Sequence, residues 1–154
     1  MSSSLATYHG GCHCGAVRWE LETSLPPSRW SVRACQCRFC RLHGGLSTSD
    51  PAGRISVLVE LPDLLVRYRF GSRSADFLLC GGCGVYVGAV MEEPDGAWAI
   101  VNARTLDDQT SVALAPAQPM SYEGETREQR RARRRERWSP LAPPTPVSTT
   151  RAAP

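Results

Sequence analysis

The seven cysteines constrain this chain more than any other feature, because all of them fall into three tight clusters. The clusters lie at Cys12–Cys14, Cys35–Cys40 and Cys80–Cys83. Thiols that are separated by two or three positions can converge on one soft cation, and this spacing is typical of metal ligands. The clusters therefore predict metal sites that join distant parts of a short chain.

Two of the clusters are cysteine pairs, and together they supply the four ligands of a closed site. Cys12 and Cys14 lie two residues apart, so an extended backbone presents both thiols on one face. The glycines between Cys80 and Cys83 permit the tight turn of a zinc-binding loop. Four thiolates are the ligand set of structural Zn²⁺, with Zn–S bonds of about 2.3 Å. We therefore predict a structural zinc that contributes directly to folding stability.

The third cluster offers three thiols, Cys35, Cys37 and Cys40, and the chain has no further cysteine to complete it. Three protein ligands and one open position are the arrangement of catalytic zinc. A soft site of three sulfurs favours a thiol as its fourth ligand. Three alternatives remain open at this point: closure by His43 or His13, an iron–sulfur cluster, or disulfide bonds.

Length and composition limit the classes of protein that fit. A chain of 154 residues is predicted to form one domain, and its net charge of +3 does not favour nucleic acid as a partner. The N-terminus lacks the pattern of a secretory signal, and no apolar run approaches the ~20 residues of a membrane span. We therefore predict a cytoplasmic protein without a membrane partner, in which the thiols stay reduced and bind metal.

Short apolar or alternating segments predict a mainly β core. The predicted strands are 16–22, 55–59, 64–70, 77–79, 85–90 and 98–101. In 64–70 the alternation predicts that Leu64, Val66, Tyr68 and Phe70 point inward. We predict a flexible N-terminus over 1–7, one zinc-binding domain over 8–138 that includes a C-terminal helix over 126–138, and a disordered tail over 139–154.

The C-terminal helix begins with a capping box, in which Thr126 is the cap and Gln129 lies three residues later. Seven arginines follow between Arg127 and Arg137. One interpretation is an arm for nucleic acid or a membrane surface. The other, which we favour because acidic residues interrupt the run, is a solvated helix that packs on the domain through Trp138 and Ala132.

Four segments together resemble the glutathione-dependent formaldehyde-activating enzyme (Gfa)/CENP-V family. They are Gly10–Arg18, Ala34–Arg41, Leu79–Gly84 and Val101–Asp108. The resemblance covers about residues 8–125 and implies an Mss4-like β-tent. It also implies two Zn²⁺ ions per chain, the second of which could be labile. The ligands so implied are Cys12, Cys14, Cys80 and Cys83 for the structural zinc, and Cys35, Cys37 and Cys40 for the catalytic zinc.

The founding activity of this family is the addition of glutathione to formaldehyde, which gives S-(hydroxymethyl)glutathione. The resemblance therefore implies a carbon–sulfur lyase that acts on glutathione or a similar thiol and a small aldehyde. Arg38 and Arg41 flank the open site and are predicted to bind carboxylates of the thiol, or alternatively to offset the charge of a zinc tris-thiolate. A non-catalytic zinc-binding interaction module and a zinc-trafficking or zinc-sensing protein are the alternative functions.

Overall fold

The computed structural model describes residues 4–109 and 112–143, and within these ranges the protein is mainly β, as predicted. Two helices are present, α1 (Arg38–His43) and α2 (Arg127–Arg137). The strands are β1 (Ala6–Gly11), β2 (Val17–Thr23), β3 (Ser31–Cys35), β4 (Ser47–Ser49), β5 (Arg54–Val59), β6 (Leu65–Tyr68), β7 (Asp76–Cys80), β8 (Tyr86–Glu93), β9 (Gly96–Asn102), β10 (Gln118–Met120) and β11 (Ser139–Pro140). In the described part of the chain, no helix combines the length and the apolar character that a membrane span requires.

The strands form two sheets. The smaller sheet has the order β1-β2-β5, and the larger one has the order β10-β3-β4-β9-β8-β7-β6, with β11 added beside β9. The alternation predicted for β2 is confirmed, because Val17, Trp19 and Leu21 are buried while Arg18 and Glu20 are more exposed. These three side chains belong to the core that joins the two sheets.

Strand β8 is buried almost throughout its length because both of its faces are covered. Val87 and Val90 belong to the core shared with the smaller sheet. Tyr86, Ala89 and Met91 belong to a second core, which also contains Trp138 at the end of α2. A strand that is covered on both faces has a continuous apolar sequence, which explains why 85–90 lacks an alternating pattern.

Strand β6 corrects one sequence-based prediction. Val66 and Tyr68 were expected to point into the core, but they are 44% and 48% exposed. The reason is that β6 is the last strand of the larger sheet and, among the described strands, pairs with β7 alone. An edge strand can keep an alternating sequence while one of its faces remains open to solvent.

Both ends of the described chain are more regular than predicted. Strand β1 begins at Ala6 and pairs with β2, so the predicted flexible segment 1–7 is too long. Ser139 and Pro140 pair with β9, and the Ser139 side chain is completely buried. The predicted disordered tail over 139–154 is therefore wrong at its start, and its residues 144–154 lie outside the described residues.

Helix α2 is docked on the domain. Its capping box is confirmed: Gln129 N donates to Thr126 Oγ1 at 3.1 Å, and Thr126 N donates to Gln129 Oε1 at 2.9 Å. Trp138 is buried as predicted, whereas Ala132 is exposed and Arg134 is the buried residue of the helix. The other contacts of α2 include ion pairs between its arginines and Glu93, Asp95 and Glu125.

We expect Glu93→Gln to loosen α2. The Glu93 side chain is 5% exposed and pairs with Arg131 and, at 2.8 Å, with Arg135. Hydrogen bonds from these arginines lower the pKa of Glu93 to about 2. Loss of its charge should reduce the free energy of unfolding by about 1.5–3 kcal/mol. Urea denaturation at neutral pH measures the change. Asp95→Asn is the control, because Asp95 is 63% exposed and its pair with Arg135 should contribute much less to stability than the buried Glu93 does.

Candidate metal centres

The first centre is formed by the two cysteine pairs. The sulfurs of Cys12, Cys14, Cys80 and Cys83 all lie within 4.8 Å of one another. Cys14 Sγ lies 3.8 Å from Cys12 Sγ and 3.5 Å from Cys80 Sγ. Two sulfurs of a tetrahedral zinc site with Zn–S bonds of about 2.3 Å lie about 3.8 Å apart. The arrangement of these sulfurs therefore fits one zinc ion.

The two loops of this centre have similar local structures. Val17 N donates to Cys12 Sγ at 3.3 Å, and Gly82 N and Cys83 N donate to Cys80 Sγ at 3.4 and 3.5 Å. Gly15 and Gly84 close the loops with φ values of 83° and 80°, which favour glycine. Backbone N–H groups directed at sulfur stabilise the thiolate form, the form that binds metal.

The second centre contains Cys35, Cys37 and Cys40, whose sulfurs also lie within 4.8 Å of one another. Cys35 ends β3, and Cys37 is the N-cap of α1, where its Sγ accepts a hydrogen bond from Cys40 N at 3.4 Å. The hydrogen bond from Cys40 lowers the pKa of Cys35 to about 5, whereas that bond and burial raise the pKa of Cys40. The hydrogen bonds within the cluster therefore favour the thiolate form of Cys35. A soft cation that binds all three sulfurs would replace the protons that the thiols otherwise carry.

Sequence reasoning expected other side chains near the second centre, and the structure places them elsewhere. Among the described residues, neither His43 nor His13 has a ring nitrogen that joins either group of sulfurs. His43 is exposed and lies against the ring of Phe39, with 4.5 Å between centroids. Arg38 and Arg41 are exposed on α1 and do not line the cavity described next. Their binding of substrate carboxylates stays a prediction.

A cavity of about 320 Å³ opens onto the second centre. All three of its cysteines line the cavity, together with the apolar side chains of Phe70, Phe77, Ile100 and Trp138. Small-molecule sites typically have volumes of about 300–1,000 Å³ and combine an apolar wall with a few polar groups. The second centre is therefore accessible to a small molecule.

Four arginines line the cavity among its polar residues, and sequence reasoning missed all of them as site residues. They are Arg33 on β3 and Arg130, Arg133 and Arg134 on α2. Arg33 lies two residues before Cys35, so the alternation of the strand brings both side chains to one face, a signal that the sequence does contain. The α2 arginines reach the cavity through tertiary packing alone.

The segment that follows β9 supports the loop after α1. Asn102 Oδ1 accepts from Leu46 N at 3.1 Å, and Asn102 Nδ2 donates to Tyr86 O at 2.9 Å. Arg104 Nε donates to Gly44 O at the C-terminal end of α1. Arg18, which directly follows Val17 on β2, pairs with Asp107. These contacts position the loops that carry the sulfurs, and none of them places a reactive group in the cavity.

Comparison with known proteins agrees with this geometry. The crystal structure of a Rhodobacter sphaeroides protein, a structural genomics target, is similar to this chain, with a TM-score of 0.53 and 28% sequence identity. The similarity covers 71% of this chain and 99% of that chain. A family model described as glutathione-dependent formaldehyde-activating enzyme matches residues 7–123, which include all seven cysteines. The chain therefore belongs to the glutathione-dependent formaldehyde-activating enzyme family.

Proposed function

We propose that this protein is a zinc-dependent carbon–sulfur lyase that joins a small thiol, glutathione or a similar compound, to formaldehyde or another small aldehyde. The observation that carries the proposal is the position of Cys35, Cys37 and Cys40 in the wall of a cavity of about 320 Å³. Glutathione-dependent activation of formaldehyde is the function given for the family as a whole. In the overall reaction a bond forms between sulfur and the carbonyl carbon, and the thiol proton is transferred to the carbonyl oxygen.

The donor atoms of the second centre fit zinc. Three thiols would hold the ion as thiolates and leave one coordination position for a ligand from the cavity. When bound, zinc would act as a Lewis acid that lowers the pKa of a coordinated thiol, so that the thiol would lose its proton to solvent at neutral pH. We also propose zinc for the first centre, the Mss4-like tent as the fold type, and the reducing cytoplasm as the location, where clustered thiols stay available for metal.

The chain's own residues orient the substrates in this proposal. Phe70, Phe77 and Trp138 shield one side of the cavity from water, which strengthens electrostatic interactions within it. The arginines of the wall attract an anionic thiol toward the sulfurs. Desolvation by burial lowers the pKa of Arg134 to about 10, so its guanidinium is still charged at neutral pH.

The alternative of a non-catalytic interaction module would bind its partner through the β surface or the arginine-rich helix, and the structure weakens the support from the helix. Arg131, Arg133 and Arg135 are engaged in ion pairs with acidic side chains of the same chain. An arm that binds nucleic acid needs cations that are free to replace the counterions of phosphates. No observation on the described residues favours this alternative or a zinc-trafficking role over catalysis.

We expect glutathione to bind the second centre through its sulfur. In protein with cobalt in place of zinc, thiolate-to-cobalt charge-transfer absorption should rise on addition of glutathione, because a fourth sulfur completes the second site. Calorimetry of the zinc protein in buffers of different ionisation enthalpy should detect the release of about one proton per thiol bound.

S-methylglutathione is the matched control, because its sulfur carries a methyl group in place of the proton. It should neither change the absorption of the cobalt protein nor release a proton. Identical spectra with and without millimolar glutathione would contradict the proposed function.

A further inference from the structure

The cavity beside the second centre has more cationic than anionic side chains. Of the four arginines in its wall, Arg130 and Arg133 share Glu125, with N–O distances of 3.3 and 2.8 Å. Arg33 and Arg134 pair with no carboxylate among the described residues. Their partners are hydroxyl groups: Arg33 donates to Ser49 Oγ and Arg134 to Ser74 Oγ, each at 2.7 Å. Within the described part of the chain, two guanidinium groups therefore line the cavity without an ion pair to a carboxylate.

Arg134 is the more informative of the two. Its side chain is buried, with 6% exposure, and its Nε is buried without a hydrogen-bond partner in the described part of the chain. Burial of a charged group with an unsatisfied donor costs free energy unless a ligand or counter-ion compensates it. Ser74 and the ring of Trp138, 5.0 Å from Arg134 Cζ, fix its position. Such a fixed and unsatisfied cation in a cavity wall is suited to an anion.

The metal centre itself does not account for all of these cations. A zinc ion with three thiolates would carry one net negative charge, and the thiolate of the ligand would add a second. The four arginines of the wall carry four positive charges, of which Glu125 neutralises one. Glu123 also lines the cavity, but it is exposed. A buried guanidinium therefore remains for a group that the ligand brings.

We propose that Arg33 and Arg134 form an anion-binding subsite for an oxyanion group, a carboxylate or a phosphate, on the same small molecule whose thiol reaches the second centre. This inference rests on the proposed function for the thiol end of the ligand. It also makes α2 part of the binding site, although α2 lies beyond residues 7–123 that match the family. The consequence is selection of anionic thiols over neutral ones.

S-methylglutathione tests the subsite separately from the metal position, because it carries carboxylates and no free thiol. Its affinity for the zinc-loaded full chain is measured by calorimetry with wild type, Arg134→Met, Arg33→Met and the control Arg127→Met. We expect each of the first two variants to lose about 10-fold or more in affinity, since each removes a charged hydrogen-bond donor. Arg127 is exposed on α2 outside the cavity, so Arg127→Met should stay within about twofold of wild type.

Arg134 is buried, and its replacement could disturb α2. If Arg134→Met does not keep two zinc ions, the affinity of Arg33→Met decides the result, because Arg33 lies on β3. Displacement of S-methylglutathione by succinate or by inorganic phosphate supports the subsite, and the stronger competitor identifies the preferred oxyanion. Wild-type affinity in Arg33→Met, or no binding of S-methylglutathione at millimolar concentration, would overturn the inference.

The thiol end of the ligand is tested with 2-mercaptoethanol, which has no anionic group. It should change the cobalt spectrum of wild type, Arg33→Met and Arg134→Met at similar concentrations, within about twofold. If 2-mercaptoethanol leaves the cobalt spectrum of the wild type unchanged while S-methylglutathione binds tightly, the proposed function is rejected and the anion subsite is supported. If the absorption change caused by 2-mercaptoethanol is reduced equally in Arg33→Met and Arg134→Met, these arginines act on the metal centre and the inference is wrong.

Discussion

Replacement of Cys80 by serine is expected to unfold the protein. Cys80 is 1% exposed, and its sulfur lies 3.5 Å from that of Cys14, which is 66 positions away in the sequence. One ion at this centre would therefore join the loop before β2 to the loop after β7. Structural zinc contributes about 10–16 kcal/mol in small domains, and whole domains have stabilities of only about 5–15 kcal/mol. Loss of a contribution of this size would equal or exceed the free energy of unfolding of the whole domain, so the chain should no longer fold.

The measurements are the zinc content per chain and the thermal unfolding transition of Cys80→Ser. We expect the cooperative transition to disappear and the zinc content to fall below one ion per chain. Cys40→Ser is the matched control, because Cys40 is also buried, at 5% exposure, but belongs to the second centre. This control should keep one zinc and a cooperative transition. A Cys80→Ser protein that unfolds at the wild-type temperature would refute a structural role for the first centre.

Cys37→Ser is expected to reduce the proposed catalysis strongly while the fold remains intact. Cys37 is exposed and caps α1 by accepting a hydrogen bond from Cys40 N. Serine is among the best N-cap residues, so its hydroxyl can keep that bond. It cannot replace the thiolate as a soft ligand, so the second zinc should bind much more weakly. We expect the rate of thiol addition to aldehyde, above the uncatalysed reaction, to fall by at least about 100-fold.

Activity, zinc content and far-ultraviolet circular dichroism of Cys37→Ser are compared with those of His43→Ala. His43 lies at the end of the same helix but outside the group of three sulfurs. His43→Ala should therefore keep two zinc ions and full activity. Loss of one zinc in His43→Ala would show that this histidine closes the second centre, and the proposed catalytic site would then be wrong.

The cysteine spacing was sufficient to predict which sulfurs group together, because ligands of one ion must be close in space wherever they lie in the chain. The alternation of β2 and the capping box of α2 could also be predicted from the sequence, because both depend on residues that are close together in the chain. Helix α1 was missed because six residues are too few to display a helical period. Its formation depends on the cap that the ligand Cys37 provides.

The α2 arginines of the cavity lie beyond what the sequence could predict. Arg38 and Arg41 were chosen because they adjoin Cys37 and Cys40; α1 buries Cys40 and leaves both arginines exposed, and their binding of carboxylates stays a prediction. Arg134 looked like one member of a solvated basic run. Its burial depends on the fit of α2 against the second core, and on Trp138, which local sequence patterns do not encode.

The short strand β11 has a consequence for the order in which the protein matures on the ribosome. Ser139 Oγ donates to Asp50 O and accepts from Asp50 N, both at 2.8 Å, and Leu141 forms a bridge with Ile55 of the smaller sheet. All seven sulfurs have been synthesised by Cys83, but α2 begins 44 residues later (127 − 83) and this closing strand 56 residues later (139 − 83). A nascent chain therefore has the thiols of both candidate metal centres well before it has the wall of its cavity, so a metal ion could bind before the cavity can hold a small molecule.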